Sequence, residues 1–308
     1  KIKDLIFMNT EFKIDHSSLK FFTNLFSNKI SDQNINFIKS KFFYLDQYDD
    51  VIFLADIKKM NYLYSEKFLN EIKSKLKIFN LPISLEAQHE LLNKKIISKI
   101  DFKSLKLNIH NHMYLNENEL NGQLDFNILK KNKKINYIFR GKELIFNSDD
   151  KKINGSISIK PFFLSSNLNL RKIEVKKFLK NDSIVTNLIK SEILNNKNLN
   201  GKISIFADNL NYLKYVDAIN FDIQFEEGMI LINNLNFIFK DSVIVNLDEV
   251  NLIVEENKLK LFGDITLDFK DIDKFYSHFQ VRTYYRKNLD KINSNFIFNL
   301  DDGILEIN

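Results

Sequence analysis

The sequence predicts a mainly β protein: a meandering antiparallel sheet of repeated hairpins with a few short helices. Three observations carry this. Apolar and polar residues alternate over many segments of strand length. One phrase recurs four times, as LNGQLDF (120–126), INGSISI (153–159), LNGKISI (199–205) and LFGDITL (261–267). Finally, only seven glycines and two prolines occur among 308 residues, and the breaks between strands are short and turn-like.

The alternation is cleanest in INFDIQF, where Ile219, Phe221, Ile223 and Phe225 take one parity and Asn220, Asp222 and Gln224 the other. The same pattern gives Leu81, Ile83 and Leu85; Leu105, Leu107 and Ile109; Leu124, Phe126 and Ile128; and Ile157 and Ile159. It continues through Ile203 and Ile205; Leu235, Phe237 and Phe239; Val243, Val245 and Leu247; Leu259 and Leu261; Ile265, Leu267 and Phe269; and Phe296, Phe298 and Leu300. Turn segments such as NENELNG, SDDKKING, EEG, EENK and DDG separate these runs. Each glycine of the recurring phrase is expected to supply a positive φ or a bulge where a strand begins. Pro82 and Pro161, which donate nothing to a ladder, mark an edge, a bulge or a strand start. Helices are expected over 17–26, 65–76, 182–194 and 271–279, from apolar spacing and Ser or Asp at their starts. Residues 1–36 are less regular and read as a helical cap or connection. With no linker-like segment, the chain reads as one continuous region, 1–308, of a longer protein.

Composition narrows the function. No cysteine is present, which excludes disulfides, zinc–thiolate sites and thiol nucleophiles. A net charge of +5, from 45 basic and 40 acidic residues well mixed, is no nucleic-acid footprint. No run approaches the ~18–20 apolar residues that span a bilayer. The glycines are isolated, so no nucleotide-binding loop is formed, and no nucleophile elbow occurs. His110 and His112 share a strand parity but lack a third ligand nearby, so a solvated pair is the simpler reading. Glu226–Glu227, Glu255–Glu256 and Asp301–Asp302 sit at turns and read as solvated carboxylates. VRTYYRK (281–287) gathers Arg282, Tyr284, Tyr285, Arg286 and Lys287, and stacks on bases, contacts a membrane surface or headgroup, or is a solvated strand with ordinary tyrosines. No catalytic, metal or cofactor site is expected, and the chain reads as a non-enzyme.

The apolar parity must be covered. It packs on protein, as in a sandwich or barrel, or it curves into a trough that hides acyl chains; pattern alone favours ordinary core packing.

SIKPFFLSSNLNLRKIEVKKFL (158–179), LNGKISIFADNL (199–210), the stretch 225–276, KLKIFNLPISL (75–85) and IDFKSLKLNIHN (100–111) resemble the bacterial AsmA-like family of bridge-like lipid transfer proteins, over most of the chain from about Phe37. The resemblance implies an elongated, curved, U-shaped antiparallel sheet whose apolar groove takes phospholipid acyl chains. It implies a periplasmic location, an inner-membrane anchor outside this chain, and a part in phospholipid movement to the outer membrane. Envelope proteins are then candidate partners, and nucleic acid and nucleotides are not. No single functional residue carries over, because the family has no catalytic motif. As a class, the groove candidates are Leu124, Phe126, Ile128, Ile157, Ile159, Ile203, Ile205, Phe221, Ile223, Phe225, Phe237, Phe239, Val243, Val245, Ile265, Leu267, Phe269, Phe296 and Phe298. The alternative is a closed sandwich or barrel that binds protein partners in outer-membrane biogenesis.

Overall fold

The computed structural model describes residues 4–14, 33–45, 48–65, 69–78, 81–90, 92–115, 119–128, 131–159, 161–171, 173–174, 186, 189, 196–208, 210–211, 216, 218–256 and 258–308. The protein is mainly β, built from antiparallel meanders with few helices. It divides into two compact units, residues 1–164 and 165–308.

The first unit holds β1 (Asp4–Met8), β2 (Glu11–Ile14), β3 (Asn34–Leu45), β4 (Val51–Ser65), β5 (Leu69–Ile78), β6 (Leu81–Glu90), β7 (Lys95–Phe102), β8 (Leu107–Leu115), β9 (Leu120–Ile128), β10 (Lys131–Arg140), β11 (Glu143–Ser148) and β12 (Ile153–Ile159). From β3 to β12 every strand pairs antiparallel with the next. β1 and β2 lie end to end along β3, parallel to it. β13 (Phe162–Leu170) spans the unit boundary.

The second unit holds β14 (Ile173–Glu174), β15 (Asn200–Ala207), β16 (Leu210–Asn211), β17 (Ile219–Glu226), β18 (Met229–Phe239), β19 (Val243–Glu255), β20 (Lys258–Phe269), helix α1 (Ile272–His278), β21 (Lys291–Asn299) and β22 (Ile304–Ile307). β15, β17, β18, β19, β20, β21 and β22 form an antiparallel series in that order, and β14 pairs with β16. The sheet is unclosed, so the barrel alternative does not describe it.

Three expectations are corrected. Residues 65–76 are strand, not helix. Leu69, Ile72 and Leu76 have helical spacing, but Ile72, Leu76 and Ile78 also share a strand parity, with Glu71, Lys73, Lys75 and Lys77 on the other. Hydrogen bonding to β4 and β6 decides the tie. The 17–26 segment lies outside the described residues, and so does most of 182–194, where Thr186 and Ile189 are helical; 271–279 contains α1. Within 1–36, residues 4–8 and 11–14 are strands.

The second correction concerns the recurring phrase. Its glycines, 122, 155, 201 and 263, lie within strands, and none has a positive φ; that conformation belongs to the turn glycines, as at Gly228 (φ 84°) in EEG and Gly303 (φ 70°) in DDG. A bulge is met at Gly263, which lies opposite the extra residue of β19, and each phrase glycine pairs across the sheet with an aromatic residue: Gly122 with Tyr137, Gly155 with Phe146, Gly201 with Phe225 and Gly263 with Phe296. At Gly122, a Cβ would fall 2.5 Å from the Tyr137 hydroxyl oxygen and 2.6 Å from its Cζ, so the ring lies over the glycine. The third correction is that VRTYYRK is not a strand: Thr283–Tyr285 form a 3-10 turn. Both prolines behave as expected, Pro82 as the second residue of β6 and Pro161 just before β13.

Bulges keep the parity intact. β18 carries one residue more than β17 between the partners of Asn220 and Asp222, and β19 one more than β20 between Asp248 and Asn251. Asn234 (φ 56°) and Glu249 (φ 51°) lie in these segments in the left-handed region. Asn234 absorbs the extra residue, so that Leu235, Phe237 and Phe239 stay on the face of Ile230 and Ile232. Asp222 holds this bulge. Its carboxylate accepts from Asn234 Nδ2 (2.7 Å) and Ser204 Oγ (2.6 Å) and pairs with Lys202 (2.9 Å).

Candidate functional site

In the second unit the registers place all the apolar candidates on one face. One row runs Phe225–Ile230–Leu252–Leu261–Phe298–Leu305 across six strands. Parallel rows are Ile203–Ile223–Ile232–Val250, Phe237–Val245–Leu267–Ile292 and Phe239–Val243–Phe269; Ile205 pairs with Phe221, Leu247 with Ile265, and Phe296 with Ile307. The paired positions of this face carry no charged side chain, because a lone charge there would lose its hydration. Gly201, Gly263 and Ser294 are its only interruptions among those pairs.

Both ends of this face are packed against. At one end Ile189 packs with Leu300 and Leu261 against the buried cluster Ile230, Leu252 and Leu259. At the other, α1 sets Phe275 edge-on to Phe269 (centroids 5.1 Å apart) and Phe279 stacked on Phe239 (6.0 Å). Between them Phe221, Ile232, Leu235, Phe237, Leu247, Ile265 and Leu267 are half-buried, whereas Ile205, Val245, Val250 and Phe296 are buried. A sealed sandwich core buries such positions fully.

The opposite face is mixed: it carries the polar side chains but also the exposed apolar residues Phe206, Ile238, Phe262 and Ile297. Asn220, Asn236, Asn246, Thr266 and Asn293 form one cross-strand row. Asp222 lies there too. Burial pushes its carboxyl pKa up, but the hydrogen bonds from Ser204, Lys202 and Asn234 outweigh this and hold it below the usual value.

The first unit repeats the arrangement with one difference. Leu124 and Phe126 share a face with Leu107, Ile109, Ile100, Leu85 and Ile83; Ile128 pairs with Leu107, and Ile157 with Leu144. Ile159 has the parity of Ile157. On this face, however, polar groups enter: Asn70, His89, Ser98, Asn111 and the hydroxyls of Tyr62 and Tyr137. Tyr62 and Asn70 form one hydrogen-bonded pair, and Tyr137, Asn111 and Ser98 one chain. Tyr62 donates to Asn70 Oδ1 (2.7 Å), Asn111 Nδ2 to Ser98 Oγ (3.3 Å), and Tyr137 to Asn111 Oδ1 (2.8 Å). Burial pushes the Tyr137 hydroxyl up to about 12, opposed in part by the contact with Asn111. The sequence held the signal for these residues: Asn111 has the parity of Leu107 and Ile109, and His89 that of Ile83 and Leu85. Asn70 was hidden by the helical reading of 65–76.

The chemical candidates do not converge. His110 and His112 project from the polar face, His110 between Lys99 and Asp125, and His112 between Ile97 and Gln123. Among the described residues no group of three or more His, Cys, Asp or Glu is placed to hold a metal ion. The acid pairs build turns: Asp301 accepts from Leu259 N–H (2.6 Å), and Asp302 from Lys258 (2.9 Å) and Asn299 (2.7 Å). In VRTYYRK, Tyr284 and Tyr285 are exposed, whereas Arg286 turns back to the Val281 carbonyl (3.1 Å) and lies 3.6 Å from Asp273. No described helix is long and apolar enough to cross a membrane. No family model matches the chain, and no curated protein matches it.

Proposed function

We propose that the protein binds acyl lipids along the apolar face of its open sheet and conducts them, without chemistry, between the two membranes of a bacterial envelope. The observation that carries this is the uncharged face of the second unit, continuous over six strands, on which Phe221, Ile232, Phe237, Ile265 and Leu267 stay half-buried among buried neighbours. Acyl chains fit such a face on energetic grounds. Each methylene removed from water is worth ~0.8 kcal/mol, so a two-chain lipid does not cross water at a useful rate, while a trough lined like this removes that cost and leaves the headgroup wet. The periplasmic setting follows the resemblance of the hairpin phrases to AsmA-like proteins.

The test is organic extraction of the purified protein followed by mass spectrometry, with a photo-crosslinker at Phe221 or Leu267. Co-purifying phospholipid and a lipid adduct at either position are expected. Lipid-free protein with no adduct at either position sinks the proposal.

A further inference from the structure

The connection from β20 to β21 differs from the short turns that join β17 to β18, β18 to β19, β19 to β20 and β21 to β22. It runs over residues 270–290 and is built as a fixed block. The Asp271 carboxylate caps α1 by accepting from Lys274 N–H (2.8 Å). Phe275 and Phe279 seat the helix on Phe269 and Phe239, at the end of the apolar face. The returning chain is tied down as well: the Tyr276 hydroxyl donates to the Lys287 carbonyl (2.8 Å) and accepts from Lys287 N–H (3.2 Å).

Between these anchors the 3-10 turn holds two aromatic rings out in water. Tyr284 is 89% exposed and Tyr285 66%, with ring centroids 5.3 Å apart, and Phe279, which caps α1, is 55% exposed. Residues 270–291 carry six basic side chains against three acidic ones. Exposed rings grouped on one tied-down turn are unusual on a surface that has no use for them. Tyrosine, with an apolar body and a polar tip, suits the boundary between headgroups and acyl chains, and surrounding cations suit anionic headgroups. A single-stranded nucleic acid needs a basic groove that follows its backbone, which one turn does not offer.

We propose that residues 279–287 dock the protein on an anionic lipid bilayer: Tyr284 and Tyr285 enter the headgroup layer, Arg282 and Lys287 meet lipid phosphates, and the α1 end of the apolar face is held at the membrane. The proposal deepens the lipid-binding reading and rests on it for what the docked face receives, not for the docking itself.

The test uses the full chain and vesicles of equal phosphatidylglycerol and phosphatidylcholine, against vesicles of phosphatidylcholine alone. Co-sedimentation with the anionic vesicles is expected, weakened by salt. R282S and K287S are each expected to lose roughly fivefold in partitioning, and the Y284S/Y285S double variant about tenfold or more. All these side chains are exposed, so unchanged far-UV circular dichroism checks the fold. The chain has no tryptophan, so Y284W is a sole reporter, expected to shift its emission to the blue on anionic vesicles only. Failure of the wild type to sediment, double-variant binding equal to wild type, an unshifted Y284W, or binding of a single-stranded oligonucleotide in place of vesicles overturns the proposal. Lipid extracted from the same samples separates the two readings: lipid-free protein that still sediments and still loses binding in the variants keeps the docking and removes the groove.

Discussion

Asn234 is where one backbone angle keeps a whole face in register, and replacing it is the sharpest probe of the architecture. Its φ of 56° is tolerable for Asn and Gly but poor for a β-branched residue. N234G keeps the angle and removes only the 2.7 Å bond to Asp222, which retains Ser204 and Lys202. A hydrogen bond to a charged group contributes about 1.5–3 kcal/mol, and the remaining partners place the loss at the lower end. N234V loses the same bond and adds a left-handed strain of about 1–2 kcal/mol. Relief of that strain by abolishing the bulge would turn either Ile230 and Ile232 or Leu235, Phe237 and Phe239 to the polar side, at about 1.5–3 kcal/mol for each side chain that loses its burial. Urea denaturation of both variants gives the comparison. N234V is expected to be less stable than N234G by at least about 1 kcal/mol. Equal stability would refute the claim that a left-handed residue holds this register.

Other outcomes follow from the same geometry. G263A places a Cβ 2.9 Å from the Asp248 carbonyl oxygen and the Val250 Cα, both backbone, and G122A places one 2.6 Å from the His112 carbonyl oxygen and 2.5 Å from the Tyr137 hydroxyl; each should lower stability by about 1–3 kcal/mol in the same denaturation assay. Ultraviolet titration should show a tyrosine ionising near 12 that disappears in Y137F. Because that pKa is raised on folding, its contribution is complete below the unfolded value of about 10 and is lost as pH rises through the folded value. Asp222 has the opposite sign. Its folded pKa is lowered, so its contribution is present above the unfolded value of about 3.9 and is lost as pH falls through the folded one; D222N should flatten the acid limb of the stability profile, read by thermal melts at several pH values.

Much of this was legible in the chain because strand parity is local. Ile219, Phe221, Ile223 and Phe225 alternate within seven residues, and the registers put them with the other candidates on one face. What depended on a neighbouring strand was not. The recurring glycine was visible as a pattern, but its surroundings, the Tyr137 ring at Gly122 and the Asp248–Val250 backbone at Gly263, belong to partner strands, which a strand does not reveal. β5 satisfied both the helical and the strand period, and only hydrogen bonds to β4 and β6 separated them. The bulges sat between the two: NN at 233–234 and DE at 248–249 interrupt the alternation, yet nothing in the sequence says whether the face flips or the chain absorbs a residue.

The proposed function puts lipid on one face of β18 and water on the other. A photo-crosslinkable residue placed in turn at Leu235, Asn236, Phe237 and Ile238, followed by mass spectrometry of adducts, tests it within four positions of one strand. Lipid adducts are expected at Leu235 and Phe237 and none at Asn236 and Ile238. Adducts at all four, at none, or at the even positions alone would contradict it.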